Sequence, residues 1–181
     1  MSLLNQSELY TIADIYDLPD GTRAELIDGQ IYYMAPPSRK HQSLAGELYL
    51  VIANYIKEKG GPCRPYIAPF AVFLNRDDRN YVEPDISVIC SPGKLTDKGC
   101  NGAPDWIIEI VSPGSRRMDY YNKLFKYRTA GVREYWIVDP DKNRVVVYNF
   151  ESEDIRDYTF DDSVKAEIYE DLSIDFSQLD F

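Results

Sequence analysis

Residues 104–114, PDWIIEIVSPG, decide the fold. The apolar run from Trp106 to Val111 is broken only by Glu109, and it ends in Ser-Pro-Gly, a turn tripeptide. Such a run is expected of a central strand buried on both faces. Alternation cannot carry Glu109 to solvent, because Ile107, Ile108, Ile110 and Val111 flank it. An ionised carboxylate is rarely buried without a cation or hydrogen bonds. Residues 84–93, PDISVICSPG, have the same form, with Asp85 directly after Pro84. Proline is tolerated at the first residues of a strand but not deep inside a sheet. Each acid alone can be read as an end-of-strand carboxylate in a turn or salt bridge. Together they suggest a divalent-metal site, since Mg²⁺ takes carboxylate oxygens, a backbone carbonyl and waters and needs only one or two protein acids.

After the second strand the spacing predicts a helix from about Arg117 to Ala130, with Gly131 as its cap. Asp119, Lys123 and Tyr127 recur at i, i+4, i+8 and share one face of it. Lys123 on that face either makes a surface pair with Asp119 or supplies an ammonium near Glu109, where it could orient an attacking water or offset phosphate charge. REYWIVDP (133–140) then reads as a strand stopped by Asp139-Pro140, and the tail gives strand-like pieces at 143–150, 155–160 and 164–169.

On the N-terminal side, SELYTIADIYDLPDG (7–21) has the spacing of a short amphipathic helix, with Ser7 as its cap. Two β-rich runs around Asp28-Gly29 predict a hairpin. A long helix follows from Ser38 to about Lys59, with Leu44, Leu48, Val51 and Tyr55 as its stripe and Gly60-Gly61-Pro62 as its end. His41 is in register with that stripe, which favours a buried structural histidine over one that contacts phosphate or assists proton transfer. Short strands are expected within 63–74 and 83–90. The order implies an α/β (mixed α+β) chain, a mixed sheet flanked by helices, as a single domain over 1–181.

The 181 residues are 44% hydrophobic and 28% charged, which is globular composition. No apolar run reaches the length of a membrane helix, and MSLLNQSELY lacks the features of a secretory signal. Three scattered cysteines argue against a disulfide framework and a cysteine zinc site, and a single histidine excludes a multi-histidine centre. These features point to a cytoplasmic protein without a membrane partner. The net charge of −10 is concentrated at the ends. Residues 151–181 hold eleven acids against two bases, and residues 1–20 hold four acids and no base. The middle is mildly basic, which permits a polyanion partner. Arg39, Lys40, Arg116, Arg117, Lys123 and Lys126 are candidates for a basic rim. No G-x-S-x-G elbow and no glycine-rich phosphate loop is present.

The run VEPDISVI, then APDWIIEIVSPGSRRMDYYNKLFKYRTAGVREYWIVDP, resembles the Uma-two family of predicted endonucleases, within the PD-(D/E)xK (restriction-endonuclease-like) superfamily. ELIDGQIYYMAPPSRKHQSLAGEL fits the same pattern, so the resemblance spans nearly all of 8–181. It implies a restriction-endonuclease-like core with Asp85 and Glu109 as catalytic metal ligands and the Ile110 carbonyl as a third. Val111 stands where the superfamily has its lysine, and the role maps to Lys123 on the following helix. His41 and Glu25 match further family positions and are auxiliary candidates. The expectation is a Mg²⁺ (or Mn²⁺)-dependent nuclease acting on DNA, as a homodimer that presents two sites to two strands. The competing class is a non-catalytic nucleic-acid- or protein-interaction module that retains the nuclease fold.

Overall fold

A computed structural model describes residues 9–75 and 77–181. The chain enters α1 (Ile12–Tyr16) through Thr11, whose backbone N–H and hydroxyl both donate to Asp14 Oδ2 (2.7 and 2.8 Å). The helix begins later than its spacing predicts. Tyr10 is held extended by donating its N–H to the Gly29 carbonyl (2.8 Å), and Ser7 lies outside the described residues. Strands β1 (Ala24–Ile27) and β2 (Gln30–Tyr33) form the expected hairpin, with Ile27 opposite Gln30. Asp28 (φ 51°) and Gly29 (φ 76°) are both left-handed, as a two-residue turn between twisted strands requires.

Helix α2 (Arg39–Lys59) is capped by Ser38, whose hydroxyl accepts the His41 N–H (3.2 Å), and ends at left-handed Gly60. Its buried face is Leu44, Ala45, Leu48, Ile52 and Ile56. Val51 and Tyr55, expected on that face, are only half-buried, because the contact follows a ridge of residues four apart.

The strands that follow are β3 (Arg64–Ile67), β4 (Val72–Phe73), β5 (Tyr81–Val82), β6 (Ile86–Ile89), β7 (Leu95–Thr96), β8 (Gly99–Asn101) and β9 (Trp106–Ile110). A π-helical stretch, Met118–Lys123, runs directly into α3 (Leu124–Ala130). Beyond it lie β10 (Glu134–Asp139), β11 (Arg144–Asn149), β12 (Asp154–Tyr158), β13 (Ser163–Lys165) and β14 (Ser173–Asp175). The expected strand over 164–169 stops at Lys165. It closes a small antiparallel pair with β14, in a stretch that carries no strand signal of its own.

The main sheet has the order β12-β11-β10-β9-β6-β3 and is mixed, β9–β10 being its parallel pair. The short N-terminal strands build a second sheet, β2-β1-β5-β4-β8-β7. On one face of the main sheet, Leu44, Leu48 and Ile52 of α2 join Phe176 of the tail in packing against Ile86, Ile108 and Trp136. On the other face, Tyr127 and the second sheet's Val72 and Val82 cover Ile89, Ile107 and Ile137. All five residues of β9 are buried, as its apolar run demands, and each fully buried isoleucine contributes about 1.5–3 kcal/mol.

Cysteine number and spacing argued against a disulfide, yet Cys63 and Cys90 form one. The reason is register: β3 and β6 are antiparallel with Arg64 opposite Ile89, so the next pair outward is Cys63 and Cys90, with Cα atoms 3.8 Å apart. Cys100 is buried and free. Among the described residues no helix is long and apolar enough to cross a membrane.

Candidate active site

Strands β6 and β9 pair Ile86 with Ile108 and Ser87 with Ile107. One step further in the same register sets Asp85 opposite Glu109. Directly opposed side chains share a face, with Cβ atoms typically about 4.5–5.5 Å apart. That face is the one covered by the π-helical stretch and α3.

Asp85 is fixed from two sides. Its Oδ2 accepts the Ile110 N–H (2.8 Å) and lies 3.1 Å from His41 Nε2. In a strand, the N–H and C=O of one residue point to the same neighbour, so the Ile110 carbonyl also faces the Asp85 side. Burial opposes a charge on His41, but the Asp85 carboxylate and the Ile110 carbonyl outweigh it and hold the imidazole above its ordinary pKa.

Glu109 is fixed by the helix. Its Oε1 accepts the Tyr127 hydroxyl (2.6 Å) and lies 2.9 Å from Lys123 Nζ. The same ammonium is 2.9 Å from Glu25 Oε2 and 3.9 Å from Asp119 Oδ1. Glu25 Oε1 accepts the Glu83 N–H (3.0 Å), which ties Lys123 to the segment leading into Asp85. Asp119 also accepts the Ser115 hydroxyl (2.6 Å). The winding explains why Asp119, Lys123 and Tyr127 all turn inward. A four-residue α-helical step overshoots one turn by about 40°, a wider π step falls short, and the two deviations offset.

Three carboxylates therefore share one buried ammonium, with Asp85 as a fourth acid nearby. Burial pushes the Glu109 carboxyl well above the usual range; Lys123 pulls it back, while Asp85, Asp119 and Glu25 push it further up. Burial likewise lifts Asp119 to about 6, against the pull of Lys123 and Ser115. Desolvation works against a charged Lys123, but Glu109, Glu25 and Asp119 outweigh it and keep the amine protonated.

This excess of buried negative charge fits a divalent cation. Asp85 Oδ1 and Glu109 Oε2 accept no hydrogen bond among the described residues and are the free donors. Among the described residues no three His, Cys, Asp or Glu side chains gather into a closed cage. One or two acids, a carbonyl and waters suffice for Mg²⁺.

The structure thus brings together Asp85, Glu109, Lys123, Glu25, His41 and the Ile110 backbone. His41, in register with the core stripe of α2, sets its largely buried imidazole against Asp85. Val111 is buried among apolar neighbours, which leaves the lysine role to the helix. The Tyr127 hydroxyl and Ser115 are partners that the sequence reading did not assign, although Tyr127 stood in the same i, i+4, i+8 pattern as Lys123.

Half of the expected basic rim is neutralised or buried. Arg116 pairs with Asp139 and Asp141, Lys126 with Asp28, and Lys123 is buried. Arg39, Lys40 and Arg117 are exposed. Tyr127 and Tyr135 are core residues, whereas Tyr121 is 71% exposed. It lines a cleft of about 360 Å³ between the β1–β2 hairpin and the third helix, which none of the clustered acids lines.

The model of the Uma2 family, described as "Putative restriction endonuclease", matches residues 10–177. An uncharacterized protein of Synechocystis sp. is 25% identical over 126 residues, 69% of this chain. The match spans 65% of that relative's length. A crystal structure from Anabaena variabilis, described as "a putative nuclease belonging to DUF820", superposes with a TM-score of 0.76 at 24% identity, covering 93% of this chain and 96% of that one.

Proposed function

The chain belongs to the Uma2 family, and from that premise we propose that it is a metal-dependent endonuclease hydrolysing DNA phosphodiester bonds at the Asp85–Glu109 cleft. The observation that carries the reading is the register that opposes these two acids, with a buried ammonium 2.9 Å from one of them.

Asp85, Glu109 and the Ile110 carbonyl would hold Mg²⁺ or Mn²⁺. Bound there, the ion supplies polarisation of a phosphoryl oxygen and a lowered pKa for water. The protein contributes fixed partners. Ile110 N–H holds Asp85, and Tyr127 and Lys123 hold Glu109, so little reorganisation is needed as charge develops. Lys123 stays protonated and cannot take the water's proton. Its role is to orient that water and offset charge on the phosphate as the new P–O bond forms and the ester P–O bond breaks. Exposed Arg39, Lys40 and Arg117 are available to the DNA backbone, and a two-fold homodimer would offer one cleft to each strand.

A second reading, a non-catalytic binding module, is favoured by one observation: Glu109 Oε1 is already engaged by both Lys123 and Tyr127. Plasmid and single-stranded DNA incubated with Mn²⁺ separate the two. Cleavage by the wild type that Asp85→Ala abolishes supports the nuclease, whereas DNA binding with no cleavage by any divalent ion supports the module.

A further inference from the structure

We propose that His41 is itself a ligand of the ion held at Asp85, so that the site takes first-row transition ions in preference to Mg²⁺. This rests on the metal-site reading above and adds a nitrogen donor to its oxygens.

The backbone of His41 is set in the first turn of a 21-residue helix by the Ser38 cap, which fixes where the ring can reach. Its Nε2 lies 3.1 Å from Asp85 Oδ2. Two donors that bind one ion at about 2.0–2.1 Å, at neighbouring corners of an octahedron, stand about 3 Å apart. The observed spacing therefore suits joint coordination once Nε2 releases its proton to solvent, with Oδ2 still accepting the Ile110 N–H. The Ile110 carbonyl lies within reach of the same ring, so one nitrogen and two kinds of oxygen converge. The other ring nitrogen, Nδ1, is buried and has no hydrogen-bond partner among the described residues, none of which draws the ring away from Asp85.

Charge points the same way. Glu25, Glu109 and Asp119 face one lysine with Asp85 nearby, and a further acid would add to an excess already present. A neutral imidazole adds a donor without adding charge. Its chemistry then sets the preference. Carboxylate and carbonyl oxygens suit Mg²⁺ and Mn²⁺ alike, whereas imidazole nitrogen favours Mn²⁺, Co²⁺ and Ni²⁺ over Mg²⁺.

The test is calorimetric titration of metal-free protein with MnCl₂ and MgCl₂, for wild type, His41→Ala and Asp85→Ala. It is paired with spin-echo spectroscopy of bound Mn²⁺ to detect a directly coordinated ¹⁴N. The expected result is Mn²⁺ bound at least about tenfold tighter than Mg²⁺, with His41→Ala removing that difference and leaving Mg²⁺ affinity nearly unchanged. The ¹⁴N coupling should be present in the wild type, a readout that stands even if His41→Ala fails to fold. An unchanged Mn²⁺/Mg²⁺ ratio in His41→Ala, or no ¹⁴N coupling, overturns the proposal. If Asp85→Ala alone abolishes binding, only the His41 inference falls. If the wild type binds neither ion, or Asp85→Ala binds as the wild type does, the metal site falls with it.

Discussion

Lys123 Nζ lies 2.9 Å from Glu109 Oε1, with both side chains only 5% exposed. The lysine reaches this carboxylate from the helix after β9, and Val111, on the strand itself, is spent on the apolar core. Removing the ammonium leaves Glu109, Glu25 and Asp119 as mutually repelling buried acids. Lys123→Met should therefore cost about 3–5 kcal/mol of stability at neutral pH, the range for breaking a buried ion pair. The loss should shrink at pH 5, where the acids take up protons instead. Urea unfolding with a chelator at both pH values measures this. An equal loss at the two pH values contradicts the charge argument.

Asp119 gives a pH dependence of definite sign. Its folded pKa of about 6 lies above the ordinary aspartate value of 3.8, so the folded state binds the extra proton between those values. Raising the pH through that window therefore destabilises the fold relative to the unfolded chain. Asp119→Asn cannot titrate and escapes the penalty. The melting temperature of Asp119→Asn minus that of wild type, both metal-free, should become more positive from pH 4 to pH 7. A difference that is flat or falls across the window would be inconsistent with the buried placement.

The Cys63–Cys90 bond closes a loop of 27 residues, which on chain-entropy grounds contributes about 3–4 kcal/mol. Thiol titration of protein unfolded without reductant should find one free cysteine, Cys100, and reductant should lower the melting temperature. Three free thiols in protein prepared under oxidising conditions would show that the pair does not form.

Much of the fold was legible locally. The apolar run around Glu109, the Asp28-Gly29 turn, and the Ser38 and Gly60 ends of α2 each carry their own structural signal, and each element forms there. What was not legible depends on register between distant strands. Cys63 meets Cys90 only because β3 pairs with β6 at Arg64–Ile89, and no cysteine count contains that offset. Glu25 likewise reaches Lys123 only through the packing of the second sheet. For His41 the helical register was legible, whereas its Asp85 partner on β6's approach was not. That pairing depends on how the long helix docks on the sheet, which no local pattern contains. The π-helical winding that aligns Asp119 with Tyr127 has no local sequence signature, although the i, i+4, i+8 spacing identified the face.

The central claim is that Asp85 and Glu109, opposed across β6 and β9, hold one catalytic divalent ion. The most direct measurement is an anomalous difference map from a crystal soaked in MnCl₂, collected near the manganese absorption edge. The account predicts one strong peak at coordination distance, about 2.0–2.2 Å, from carboxylate oxygens of both residues and absent from Asp85→Ala crystals. A fully soaked crystal with no peak at these acids, or with manganese bound elsewhere, would contradict it.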